Sequence, residues 1–390
     1  MPVNGASNVP PAPLLTGGLR RKTRKAPKVP KVPKVPKVPK IPKGVKWPKG
    51  SIVYICGTKP SIFGPRDKDL GGSEQAVVRL SEEWAKEGRL VVVYGSVKES
   101  KHAGVEYRSI NRLNLTDTFD CAIFWRSYGV RLLPLIQARV RLVDLHDSWD
   151  PRDYVAPSQI IELANKVMVK SEYHKSLYPW LPSSKLHVTM NGVQVDLFNK
   201  VADSVSESDR DPHRIIYASY YSRGLEPLLK YTWPKIKAAV PDATFDIYYG
   251  MNGLGKDLIT KLTELFKQPG VSEYGRISLE QVAKEKSKSA IHLYISNAAT
   301  EIDCISIRES LLCGAVPVIG NEFVFKERDG VHVTGSTDKV SIYRKAAATV
   351  ITLLKDQEKL ASLREHFKKS STVISWESVA KEWLKVIQDA

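Results

Sequence analysis

From Ser51 onward, short apolar runs alternate with segments of helical period, and this alternation restricts the fold more than any other feature of the chain. Ile52–Ile55, Leu90–Tyr94, Cys121–Phe124 and Val140–Leu145 are near-continuous apolar runs, the pattern of strands buried on both faces of a parallel sheet. The stretch Ser73–Glu87 between the first two has helical periodicity. Lys166–Val169, a helix near Ser171–Tyr178 and Leu186–Thr189 continue the series, which predicts a doubly wound α/β unit. Beyond a polar stretch a second series begins. Ile215–Ala218, Thr244–Tyr249, Ala290–Ile295 and Val316–Ile319 read as strands, Leu225–Ala239 and Leu279–Ser287 as helices. Trp376–Leu384 is an amphipathic helix with an aromatic stripe. The expected organisation is a tail over 1–49, one domain over 50–198, a linker over 199–212, a second domain over 213–371 and a closing helix over 372–390.

With 390 residues there is room for two such domains, each with its own core. The net charge of +17 suggests nucleic acid, yet 13 of the 59 basic residues lie in the first 50 positions beside no acid, leaving 46 against 42 in the remainder. The charge therefore belongs to the tail, and no specific nucleic-acid partner is expected of the rest. The tail repeats Lys-Val-Pro from Lys28 to Lys43. Proline at every third position excludes helix and suits polyproline II, which would align six lysines on one edge about 9 Å apart. Such a rod fits either a tether to an anionic surface or a solubilising extension. No apolar run reaches membrane-spanning length, and Lys and Pro stand where a secretory signal would be apolar, so a cytoplasmic location is expected. Cys56, Cys121, Cys304 and Cys313 sit in or beside apolar tracts without zinc-type spacing and read as buried thiols. Asp209-Arg210-Asp211 follows no strand and reads as linker charge.

The stretch Thr300–Gly320 carries the densest signal. A buried strand ends at Ile295, Glu301 stands in the loop after it, Ser306–Leu312 opens a helix, Gly314 ends that helix and a second buried strand follows. A helix start offers unpaired N–H groups and a positive dipole end, a site for a diphosphate that needs no metal. Glu309, about a turn inside, could accept both ribose hydroxyls, and Glu301 could meet sugar hydroxyls. Other residues follow strands in the same manner. They are the glycine pair Gly71-Gly72 before Ser73, a potential helix cap; Arg126 after Trp125; His146 after Leu145; and Arg223 before Gly224. Arg126 reads equally as an acceptor contact or as an ion-pair partner.

The spacing Glu301-x7-Glu309 resembles retaining glycosyltransferases of the family 4 type, and the likeness spans roughly residues 51–390. It implies the GT-B fold, two Rossmann-like domains facing a central cleft. It assigns catalysis to His146, Arg223 and Glu301, with His146 orienting the transferred sugar and Arg223 neutralising the leaving diphosphate. Around a nucleotide-sugar donor it places Gly71, Gly72, Tyr221, Arg223, Gly250, Ile277, Ile305, Ser306 and Glu309, with Ile277 against the base. Asn191-Gly192-Val193 is similar to a structural signature before the hinge. The family usually has a second basic residue five positions before Arg223, where this chain has Ala218, so either another cation replaces it or turnover is weak. The implied activity is transfer of a hexose to a glycan or glycoprotein acceptor without metal or other cofactor, the donor being GDP-mannose-like first and UDP-glucose second. A tail of Lys/Pro repeats on such a transferase is also similar to proteins of large algal DNA viruses, which would mean host cytoplasm. Two other readings share the fold: a glycan- or nucleotide-binding module held by its tail, and a nucleotide-sugar epimerase.

Overall fold

The computed structural model describes residues 44–67, 70–148 and 150–390. The Lys-Pro repeats, Asp69 and Trp149 lie outside the described residues. Among the described residues the strands form two sheets. The first has eight, β1 (Ile52–Gly57), β2 (Val91–Gly95), β3 (Ser100–His102), β4 (Val105–Ser109), β5 (Thr118–Trp125), β6 (Gln137–Asp144), β7 (Lys166–Val169) and β8 (Leu186–Val188), in the order β3-β4-β2-β1-β5-β6-β7-β8. The second has six, β9 (Asp211–Ala218), β10 (Thr244–Tyr248), β11 (Val271–Glu273), β12 (Ser289–Tyr294), β13 (Val316–Gly320) and β14 (Val331–Val333), in the order β11-β10-β9-β12-β13-β14. Every pairing is parallel except β3 with β4. Strands β1, β2 and β13 are buried along their whole length, which is why their sequences carry no charged or strongly polar side chain rather than alternating apolar and polar residues.

Several expectations are corrected. The span 199–212 is no open linker, because helix Val195–Asp203 runs into it and β9 begins at Asp211. The Leu225–Ala239 helix is broken into a turn at Leu225–Pro227, a π segment at Leu228–Thr232 and a helix at Trp233–Ala239. Pro234 removes a donor from the i to i−4 ladder, Pro227 sits in the first turn where no donor is needed, and the chain widens between them. The tail's last residues are not free. Val45 N and Trp47 Nε1 both donate to Asp117, at 3.0 Å each, Trp47 N donates to Thr118 O at 2.9 Å, and the indole packs on Phe119.

The closing helix, Trp376–Asp389, lies on helix Gly72–Lys86 of the first sheet. Trp383 and Trp84 meet at 5.8 Å between ring centroids, and Trp84 Nε1 donates to Ala380 O at 3.1 Å. On its way there the chain passes over Gly192, where Val193 N donates to Ile374 O at 2.8 Å. A Cβ on Gly192 would stand 2.5 Å from the Trp376 backbone, so this crossing admits only glycine.

Candidate functional site

A cavity of about 420 Å³ opens at the carboxyl ends of both sheets, within the size range of small-molecule sites. Residues from two helix starts line it. Helix Gly72–Lys86 begins directly after the loop that follows β1, with Gly71 as its N-cap. No side chain caps it. Ser73, expected as the cap, instead donates to Glu74 Oε2 at 3.2 Å and accepts from Arg126 at 3.3 Å. The other is helix Ile305–Cys313, whose N-cap Cys304 is left-handed at φ 57° and gives its N–H to Glu301 Oε1 at 3.0 Å. A Cβ on Gly72 would lie 3.6 Å from Ile305 Cδ1, an ordinary van der Waals contact, so the two helix starts come close together at the cavity.

The charges at the Ile305 helix are already organised. Arg223 pairs with Glu301, which also accepts from Tyr294 Oη at 3.3 Å. Glu301 first, against the cost of burial, holds the Arg223 guanidinium still more firmly protonated than usual. Gly224, at φ 97°, turns the chain there, and a Cβ on it would stand 2.2 Å from Ile295 O. Ser306 Oγ donates to Ala218 O at 2.7 Å, which spends its one proton and leaves its backbone N–H for a ligand. Glu309 Oε2 accepts from Lys286 Nζ at 2.7 Å. Lys286, on helix Leu279–Ser287, was not anticipated. Nothing in its local sequence separates it from neighbouring Lys284 and Lys288, and only the packing of two helices brings it under Glu309. Cys304 is buried, and burial together with Glu301 pushes its thiol up, opposite to what a nucleophile needs.

Aromatic and basic residues line the far end. Tyr220 meets Tyr249 edge-on at 5.6 Å, and Arg276 lies over the Tyr249 ring at 4.6 Å, beside Ile277. Arg276 also donates to Leu70 O at 3.1 Å, crossing from one sheet's loops to the other's. Two expected residues are not at the cavity wall. Tyr221 points into the core and donates to Glu273 at 2.6 Å, because the turn that presents Tyr220 to the cavity sends its neighbour inward. Gly250, at φ 87°, forms the turn behind Tyr249 and does not line the cavity. Gly71, Gly72, His146, Arg223, Ile277, Glu301, Ile305, Ser306 and Glu309 all line it.

His146 rests on a buried polar network. Its Nε2 is 2.9 Å from Asp144 Oδ2, Lys170 Nζ donates to Asp144 Oδ1 at 2.6 Å, and the Tyr54 hydroxyl donates to Asp144 as well. Burial would raise the Asp144 carboxyl, but the charge of Lys170 and the hydrogen bonds from His146 and Lys170 outweigh it and hold it well below the usual carboxylate range. Burial also pushes His146 down despite Asp144, so the ring is neutral. An ionised partner at Nε2 fixes the Nε2–H tautomer, leaving Nδ1 as the acceptor. Arg126 forms a two-pronged ion pair with Asp147, one prong at 2.8 Å, which realises the ion-pair reading of that residue.

Backbone strain concentrates here. Five non-glycine described residues have positive φ, and three of them, Arg126 at 52°, Tyr249 at 137° and Cys304 at 57°, line the cavity. Such conformations cost of the order of 1–3 kcal/mol each and gather at ligand sites.

The chain is similar over most of its length to solved structures with the same two-lobed arrangement. One is Anabaena HepE in complex with UDP and glucose, at TM-score 0.61 and 14% identity over 86% of this chain and 100% of that one. A second is sucrose-phosphate synthase from Thermosynechococcus elongatus, at TM-score 0.64 and 14% identity over 87% and 98%. A third is the catalytic domain of starch synthase IV from Arabidopsis thaliana bound to ADP and acarbose, at TM-score 0.62 and 11% identity over 88% and 99%. The fold is GT-B. No protein-family model matches the chain, and no curated protein does. Within this GT-B frame, no group of three or more His, Cys, Asp or Glu among the described residues could hold a metal ion. No helix among them is long and apolar enough to cross a membrane.

Proposed function

We propose that this chain is a glycosyltransferase of the family 4 type that moves a hexose from a nucleotide-diphosphate sugar to a glycan or glycoprotein acceptor with retention of anomeric configuration. The observation that carries the reading is the convergence, in one cavity, of two helix starts, Arg223 and the carboxylates Glu301 and Glu309. The donor diphosphate lies between the helix starts, where Arg223 and the backbone N–H groups of Ile305 and Ser306 stabilise the charge that grows as the sugar leaves. These groups supply the positive potential without a metal. Glu309 receives the ribose, the base lies near Ile277, Tyr249 and Arg276, and the sugar reaches Glu301 and His146 Nδ1. The acceptor enters beside Arg126 and Asp147.

A GDP-linked hexose such as GDP-mannose remains the first donor to test. UDP-glucose is the second, and HepE, solved with UDP-glucose, supports its inclusion. Incubation with a panel of GDP- and UDP-sugars, with released nucleotide as the readout, is expected to give turnover that persists in EDTA. Glu301→Ala and Glu309→Ala are expected to abolish it. Nucleotide binding without release by the unaltered chain would leave a binding module instead, and NMR of the product's anomeric proton checks retention.

A further inference from the structure

Lys286 is fully buried, on a helix that contributes Leu279 and Val282 to the cavity wall, and each of its three protons has an acceptor. Nζ donates to Ser306 O at 2.7 Å, Ser306 Oγ at 3.1 Å and Glu309 Oε2 at 2.7 Å. An ammonium has three protons, so none is left for a ligand. All three acceptors belong to the first two turns of the Ile305 helix, and two of the groups concerned, Ser306 and Glu309, line the cavity. Burying a lysine is expensive, and nothing in the fold of either helix requires a cation between them.

We propose that Lys286 is the positioning residue of the donor site: by holding Oε2 of Glu309 and the hydroxyl of Ser306, it presents Oε1 of Glu309 as an oriented acceptor for a ribose hydroxyl. The inference rests on the donor-site reading above and deepens it. Oε2 is committed to Lys286, and among the described residues no hydrogen bond is made to Oε1. Glu309 lines the same cavity as Ile277 and Leu279, where the donor-site reading puts the base, and as Ile305 and Ser306, where it puts the diphosphate. In a nucleoside diphosphate the ribose joins those two parts. The same ammonium orients Ser306 Oγ toward Ala218 O, which keeps the first turn of the helix, and with it the Ser306 amide, against β9. Lys286 therefore acts through other groups and touches no substrate.

The test is calorimetric titration of the full chain with GDP and UDP and with their 2′,3′-dideoxy counterparts. The wild type is expected to bind the ribonucleotide of its preferred base about tenfold or more tightly than the dideoxy form, as for a hydrogen bond to a charged group. In Lys286→Met this ratio is expected to fall to about one while the dideoxy affinity is retained, and Glu309→Gln is expected to show the same loss. The double variant should then lose no further discrimination. A uniform weakening of both ligands, or a preserved ratio in Lys286→Met, would overturn the proposal and leave Lys286 as packing. Should Lys286→Met not fold, Lys286→Arg is read in the same way. Its planar fork cannot repeat the three-acceptor geometry, and an unchanged ratio overturns the proposal. A wild type that binds both forms equally overturns the proposal while leaving a nucleotide site in place, and one that binds neither nucleotide removes the donor-site reading itself.

Discussion

At the scale of single residues, the site works through groups that are already paired. Arg223 leans on Glu301 while keeping other N–H donors of its fork for a phosphate. Arg223→Ala is expected to lower turnover by roughly 10²–10³, the usual cost of removing one donor aimed at developing charge, measured as nucleotide release at saturating donor. Asp144 never reaches the cavity but fixes the tautomer of His146. Asp144→Asn is expected to cut kcat by roughly 10–100-fold with a smaller change in KM, since an amide can present its N–H to Nε2 and favour the wrong tautomer. A rise in KM with kcat unchanged would point to ground-state binding instead. That His146, Glu301 and Glu309 line one cavity is legible in the sequence because His146 and Glu301 follow buried strands and Glu309 stands about a turn inside the helix that comes next. Lys286 and Asp144 were not, since their roles arise from contacts with Glu309 and His146 that no local pattern encodes. Tyr221 was misplaced by one position, because which of two adjacent tyrosines faces the cavity depends on the turn between β9 and Gly224.

At the scale of elements, legibility follows burial. The central strands announce themselves by unbroken apolar runs. The hairpin of β3 and β4 carries Ser100-Lys101-His102 on an exposed edge and gives no such signal. Helices Val340–Lys355 and Gln357–Phe367 also went unassigned, while the broken Leu225–Ala239 segment looked continuous because its prolines interrupt the hydrogen-bond ladder and not the apolar period. The turn at Gly224 is tightly constrained by the backbone it packs against. Gly224→Ala forces a left-handed alanine and a clash with Ile295 O, and a loss of about 2 kcal/mol or more is expected from chemical denaturation. Because Arg223 is carried on that turn, nucleotide affinity should fall in the same variant.

At the scale of the whole molecule, the response to acid follows from buried imidazoles. Burial pushes His174 down to about 3 despite its bond to the Asp147 carbonyl, and it drives His146 and His292 below their ordinary value too. The unfolded chain binds these protons near pH 6.5 and the folded chain does not. Stability is therefore fully present above about pH 6.5 and declines as pH falls toward 3, by about 1.4 kcal/mol per pH unit for each such group within its window. Denaturation midpoints measured between pH 8 and pH 4 should decrease monotonically, and a maximum near pH 5 would contradict the neutral assignment of these rings. Two parallel α/β units could be read from the sequence at this scale, but not how their loops interlock. Ser171 Oγ reaches Ile302 O at 2.8 Å, and the amides of Glu172 and Tyr173 share the Glu327 carboxylate at 2.9 and 2.6 Å.

The bond from Arg276 to Leu70 O is solvent-exposed and joins two residues that both line the cavity. A hydrogen bond from a charged donor at the surface is worth of the order of 1–3 kcal/mol. Such a contact breaks and re-forms under thermal motion, so it joins the two sets of loops without fixing the distance between them.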